Sequence, residues 1–75
     1  MVEYTTLSKK TENGKLKAVF IKRGDSFALR MEEDYGDHGI VNEFIEFNSK
    51  ESGNEKYKEL ISDGYAFEGK HTFDL

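Results

Sequence analysis

Apolar and polar side chains alternate along the first third of the chain, which is typical of β-strands with one buried face. Two such segments, residues 2–12 and 15–22, are separated by an Asn-Gly pair at positions 13 and 14. Asn-Gly supplies the positive backbone φ angles of a type I′ turn, so we predict a two-residue hairpin here. This turn would place Leu7 opposite Phe20.

A second turn is indicated where Arg-Gly-Asp-Ser occupies positions 23–26. With Gly24 and Asp25 as a type II′ turn, Phe20 lies opposite Leu29. Glycine and aspartate are residues that a tight turn requires, so we interpret the Arg-Gly-Asp tripeptide as turn chemistry and not as an adhesion motif.

Together the two turns predict a three-stranded meander with distinct faces. A one-residue slip would exchange the faces, so the agreement of the two registers supports the pairing. One face carries the apolar residues Leu7, Leu16, Ala18, Phe20, Phe27, Leu29 and Met31. The other carries the basic residues Lys10, Lys15, Lys17 and Arg30 among Tyr4, Val19, Ile21 and Ala28.

The second half of the chain is less regular. Residues 32–39 interrupt the alternation and are predicted to form an acidic loop. In residues 40–47 the apolar positions are 40, 41, 44, 45 and 47, which fit one face of a helix, although the Ile, Val and Phe content favours a strand. We interpret this segment as a short helix, with a strand as the alternative.

A second helix is predicted over residues 53–63, packed on the apolar face of the meander. Ser52 and Glu55 have the spacing of a capping box, and Gly64 stands where a helix-terminating glycine is expected. Residues 65–75 alternate loosely and are predicted to add one or two edge strands.

These elements define an α+β fold: a small antiparallel sheet of three or more strands, beginning with the meander, with one or two short helices on one face. The 75 residues have room for a single globular domain, residues 1–75. The sequence has no cysteine, which excludes a disulfide framework and a thiolate nucleophile or metal ligand. No apolar run is long enough for a membrane span or a signal peptide, so we predict a cytoplasmic protein that does not bind membranes.

Charge is distributed unevenly along the chain. Residues 1–30 contain seven basic and three acidic side chains, whereas residues 31–75 contain four basic and twelve acidic ones. The net charge of −4 therefore conceals a basic and an acidic part. This asymmetry predicts a basic open sheet face and an acidic side that bears the helices.

The acidic part is the basis of our main functional hypothesis, a non-enzymatic module that binds a protein with a basic surface. The acidic, aromatic-containing face spans about residues 32–61, and its size and charge suit an accessory or inhibitory protein of viral or mobile-element type. The alternative is a solvated surface that keeps a small domain soluble. The residues expected to contact the partner are Asp34, Tyr35, Asp37, Glu43 and Glu46.

Two other functional classes remain open. The basic sheet face, with Lys10, Lys15, Lys17 and Arg30, could bind nucleic acid, although cross-strand pairs such as Glu12–Lys15 and Lys17–Glu32 would neutralise part of it. We regard nucleic acid as the weaker hypothesis because the domain is acidic overall. The other class is a structural subunit that forms a homodimer through an edge strand or an aromatic patch.

Catalysis and metal binding receive little support from the sequence. The serines lack a nucleophile-elbow context, and the glycines are dispersed with no phosphate-binding loop. Asp34, Asp37 and His38 are close enough in sequence to share a metal ion, but they lack the ligand spacing of an EF-hand. We predict no enzymatic activity, no cofactor and no metal.

Overall fold

The computed structural model describes residues 1–34 and 39–74. Within them the chain forms β1 (Val2–Lys10), β2 (Lys15–Arg23), β3 (Ser26–Asp34), β4 (Gly39–Phe47), α1 (Lys50–Ser62) and β5 (Ala66–Phe73). The strands form one antiparallel sheet in the order β4-β3-β2-β1-β5. The predicted α+β class, with an N-terminal meander and a helix on one face, is confirmed, and the tail supplies one edge strand.

The turn between β2 and β3 has the predicted geometry. Gly24 has a φ of 58°, and Asp25 has no positive φ, which are the signs of a type II′ turn. As predicted, Phe20 pairs with Leu29 across the two strands.

The turn between β1 and β2 differs from the prediction. Lys10 pairs with Lys15, so the connection contains four residues, 11–14, and the register is shifted by two. Neither residue of the Asn-Gly pair has a positive φ, so this is not a type I′ turn. The N–H of Thr11 donates instead to the carbonyl oxygen of Gly14, at 2.8 Å. A shift of two keeps every side chain on its predicted face.

The short helix predicted over residues 40–47 is wrong, because this segment is strand β4. Glu43 and Val41 pair with consecutive residues of β3, which leaves Asn42 as an extra residue in a β-bulge. The bulge puts Val41 and Phe44 on the same sheet face although they are three residues apart. That spacing imitates a helix, which explains why the sequence pattern was misleading.

Both ends of the predicted acidic loop belong to strands. Residues 32–34 end β3, and Gly39 begins β4. The other residues of the predicted loop, 35–38, lie outside the described residues.

Helix α1 begins three residues before the predicted start. Ser49, and not Ser52, is its N-cap: the Oγ of Ser49 accepts a hydrogen bond from the backbone N–H of Ser52 at 3.2 Å. Gly53 is therefore inside the helix, where it allows close approach to the sheet. A Cβ atom at this position would lie 3.3 Å from ring carbons of Phe27.

The predicted terminating glycine is confirmed. Gly64 has a φ of 104°, and its N–H donates to the carbonyl oxygen of Ile61 at 3.2 Å. The N–H of Tyr65 donates to the carbonyl oxygen of Leu60 at 3.0 Å. These two bonds form a Schellman motif, whose usual hydrophobic contact is supplied by Leu60 and Tyr65, both buried.

The hydrophobic core lies between α1 and one side of the sheet, which we call the helix face. Its buried members are Leu7, Ala18, Phe20, Leu29, Leu60 and Tyr65, with Leu16, Phe27, Met31, Ile45, Phe47 and Tyr57 packed around them. The other side of the sheet, the open face, carries Tyr4, Val19, Arg30 and Phe44. The apolar face predicted for the meander is thus the one that α1 covers.

Candidate protein-binding edge

The sheet order leaves β4 and β5 at the two edges. The backbone groups on the outer side of an edge strand are unpaired and form a template for another strand. Natural proteins protect such edges with charged side chains, proline or bulges. The two edges of this sheet differ in how far they are protected.

Strand β5 is well protected. A bulge at Glu68 interrupts its pairing with β1, and Lys70 follows closely. The carboxylate of Glu68 accepts a hydrogen bond from Lys15 Nζ at 3.1 Å, and Lys70 Nζ lies 3.4 Å from the carboxylate of Glu3. These charges disfavour the addition of a strand at β5, where Phe67 and Phe73 are exposed to 59% and 52%.

Strand β4 is much less protected. It contains no lysine, arginine or proline among its nine residues. Ile40, Val41 and Phe44 are exposed to 49%, 57% and 56%. After the bulge at Asn42, residues 43–47 pair with β3 in an uninterrupted register. Among the described residues, no strand pairs with the outer side of β4.

The structure separates the residues predicted to bind a partner. Asp34 lies at the end of β3, where Lys17 Nζ is 3.4 Å from its carboxylate. Glu43 pairs with Met31 and lies on the helix face, whereas Glu46 pairs with Ala28 and lies on the open face. In the helix predicted for this segment, Glu43 and Glu46 would have shared a face, because residues three apart are neighbours on a helix. Two predicted residues, Tyr35 and Asp37, lie outside the described part of the chain.

Glu43 and Glu46 nevertheless share the same sheet edge, and both are exposed. Neither carboxylate forms an ion pair with any residue that the structure describes. Of the five other carboxylates in the described strands, four are each paired with a lysine or arginine and Glu33 of β3 is not; the paired ones are Glu3, Glu32, Asp34 and Glu68. The edge strand β4 is therefore a local source of uncompensated negative charge.

The four predicted basic residues do lie together on the open face, but the expected pairs are different. Glu12 is in the turn and does not face Lys15, which is paired with Glu68. Lys17 faces Glu32 in the register, yet its ion pair is with Asp34. Arg30 Nε donates to Glu32 at 2.7 Å. Of the four cations, Lys10 alone has no ion pair with a described residue.

Among the titratable groups of residues 1–34 and 39–74, two side chains have shifted pKa values, and both shifts have structural causes. Burial beneath the end of α1, and secondarily the charge of Asp63, raises the pKa of Tyr65. Hydrogen bonds from Lys15 and Ser8 lower the pKa of Glu68. One group belongs to the core and the other to a surface ion pair, so neither shift indicates a catalytic acid or base.

The apolar residues of the edge were not among the residues predicted to contact a partner. The signal that could have found them is composition, because Ile40, Val41, Phe44, Ile45 and Phe47 are types that favour strands. Their exposure follows from the position of β4 in the sheet, which the sequence pattern does not contain.

Comparison of the chain with protein families, with curated proteins and with solved structures finds no match in any of the three. The described residues include no helix that is long and apolar enough to cross a membrane.

Proposed function

We propose that this chain is a non-enzymatic protein-binding domain that accepts a strand of another protein along the outer edge of β4. The observation that carries this proposal is the difference in charge between the two edges, since each has a bulge and exposed apolar side chains. Strand β5 carries Lys70 and the Lys15–Glu68 ion pair, whereas β4 carries no cation and two carboxylates without an ion pair to a described residue. In strand addition, backbone hydrogen bonds supply affinity, and alternate side chains supply specificity.

The acidic face predicted from the sequence is thereby narrowed to one strand. Glu43 and Glu46 remain in the proposed contact, and Ile40, Val41 and Phe44 join them. Asp34 is less suited to bind a partner because it is already paired with Lys17. The viral or mobile-element role and the cytoplasmic location stay predictions from the sequence.

Nucleic-acid binding has weaker support than protein binding. Binding to phosphates requires cations that are available to replace counterions. On the open face, Lys15, Lys17 and Arg30 each contact a carboxylate instead.

The test compares two substitutions that place a lysine on opposite edges. Phe44→Lys adds a protecting charge to β4, and Phe67→Lys is the matched control on β5, where the native side chain is 59% exposed. Tagged wild type and both variants would be used to capture proteins from lysate of the source organism, after nuclease treatment. Circular dichroism and thermal melting establish that both variants are folded.

We expect a partner that binds wild type and Phe67→Lys and is lost with Phe44→Lys. Once purified, this partner should slow the hydrogen exchange of amides in β4 and leave those in β5 unchanged. A partner that tolerates Phe44→Lys, or that protects another region, would contradict the proposal. Recovery of the chain alone, as a dimer by sedimentation, would replace it with self-assembly.

A further inference from the structure

We infer that the strand recognised by β4 carries a basic-apolar-apolar-basic sequence, with its two cations on opposite faces of the added strand. This inference rests on the proposed function and concerns the chemistry of the partner. Its basis is the position of two unpaired carboxylates, Glu43 and Glu46, on either side of two apolar residues in the edge strand.

The spacing of the two carboxylates determines the spacing of their partners. Side chains of a strand alternate between faces, so residues three apart lie on opposite faces. Glu43 is on the helix face and Glu46 on the open face, and the register between them is regular. Residues facing these four positions are also consecutive. Cations therefore belong at the first and fourth of these positions in the added strand. The pattern is the same whether that strand runs parallel or antiparallel to β4.

The two positions between the carboxylates call for apolar side chains. Phe44 is exposed on the open face beside Arg30, and Ile45 is half-buried on the helix face against the core. Apolar residues opposite them would cover both side chains and extend the hydrophobic surface of each face. A strand with polar residues at these positions would leave Phe44 in contact with water.

Charge also argues against a second copy of the chain as the occupant. Strand β4 contains two carboxylates and no cation, so pairing two copies would gather four carboxylates along one interface. Each copy also carries a net charge of −4. Like charges on adjacent strands are destabilising, whereas a basic strand would pair with both carboxylates.

The test uses synthetic peptides and the full isotope-labelled chain. The first peptide contains Lys-Ile-Val-Lys between threonines, and its isomer contains Lys-Ile-Lys-Val, which puts both cations on one face. A third peptide has glutamates in place of the lysines. Amide chemical shifts in a titration locate the binding site and give the affinity. A cross-strand charge pair of ordinary strength would make the first peptide bind about 1.4- to 5-fold more tightly than its isomer, since one cation of the isomer is misplaced.

Two protein variants check that the carboxylates are responsible. In Glu43→Gln/Glu46→Gln, the preference for the first peptide should disappear, whereas Glu55→Gln on the exposed side of α1 should retain it. Glu43→Lys/Glu46→Lys should reverse the preference and select the glutamate peptide. In both double variants the substituted side chains stand at positions that are exposed in the native chain. Their melting temperatures establish that the fold is intact.

The outcomes separate this inference from the proposed function. Equal binding of the first peptide and its isomer, with shifts confined to β4, would refute the charge pattern and leave strand addition standing. Absence of any shift in β4 with all three peptides would also refute the pattern. In that case the captured partner and its response to Phe44→Lys would still decide the proposed function.

Discussion

Replacing Gly64 with alanine should destabilise the fold through the backbone conformation at the end of α1. Gly64 has a φ of 104°, a region that residues with a Cβ atom rarely adopt. The conformation is required because the N–H groups of Gly64 and Tyr65 both donate to the last turn of the helix. If this turn opened, Tyr65 would leave the core.

Two opposing terms determine the size of the effect. Forcing a residue with a Cβ atom into a left-handed conformation costs about 1–2 kcal/mol. Alanine also restricts the unfolded chain more than glycine does, and this stabilises the folded state by about 0.4–1 kcal/mol. Steric overlap adds little, because the new Cβ atom would lie 3.4 Å from a flexible methylene carbon of Lys9, an ordinary contact distance.

Gly69→Ala is the matched control because it changes the freedom of the unfolded chain in the same way without the cost of a positive φ. Gly69 has no positive φ, and a Cβ atom there would have nothing within 4 Å. The difference between the two alanine variants should therefore equal the backbone cost, about 1–2 kcal/mol. For a domain of this size, that corresponds to melting temperatures about 4–16 °C apart. Gly64→Asn should fall between them, since asparagine tolerates positive φ better than alanine.

Chemical denaturation of the three variants measures the free energies of unfolding directly. Equal stability of Gly64→Ala and Gly69→Ala would contradict the backbone cost assigned to position 64. It would mean that the end of α1 rearranges at no cost and that the Schellman bonds contribute nothing measurable.

Three further substitutions test the core and the two shifted pKa values. Leu29→Ala removes a fully buried side chain and should lower the free energy of unfolding by about 2–5 kcal/mol. This is a large part of the roughly 4–11 kcal/mol expected in total for 75 residues. A loss below about 1 kcal/mol in a denaturation experiment would contradict the assigned core. The raised pKa of Tyr65 means that its contribution to stability is complete below the unfolded value of about 10 and is lost as the pH rises through the folded pKa. Tyr65→Phe should therefore lose less stability than wild type as the pH rises above about 10, and identical alkaline profiles would argue against a buried phenol. The lowered pKa of Glu68 has the opposite consequence: its contribution is present above the ordinary glutamate pKa of about 4.3 and is lost as the pH falls through the depressed value. Because the Lys15–Glu68 pair is exposed, Glu68→Gln should reduce the acid dependence of the melting temperature only slightly. A stronger acid dependence in the variant than in wild type would show that the pair is misassigned.

The meander could be predicted because turn chemistry and face patterning are local. At Gly24 only one short turn fits both the glycine and the alternation, so the register followed directly. At the first turn, face patterning could not distinguish a two-residue from a four-residue connection, because a shift of two leaves every side chain on the same face. The sequence therefore determined the faces there but not the register.

The candidate site could not be derived in the same way. The bulge at Asn42 gave β4 a helical spacing, and on a helix Glu43 and Glu46 would share a face that they do not share in the strand. The exposure of Phe44 depends on β4 having no outer neighbour, which is a property of the strand order. Strand order is set by contacts between distant segments, and no pattern within residues 39–47 reports it.

The position of β5 has a consequence for how quickly the chain folds. Val2 pairs with Phe73, so this strand pair closes a loop of nearly the whole chain, whereas the turn at Gly24 joins adjacent segments. Long loops lose more entropy on closure, and non-local pairing slows folding. We expect the β2–β3 hairpin to be formed in the transition state and β5 to join the sheet afterwards. Destabilising changes in β5 should then accelerate unfolding and leave the folding rate almost unchanged, whereas changes at the Gly24 turn should slow folding itself.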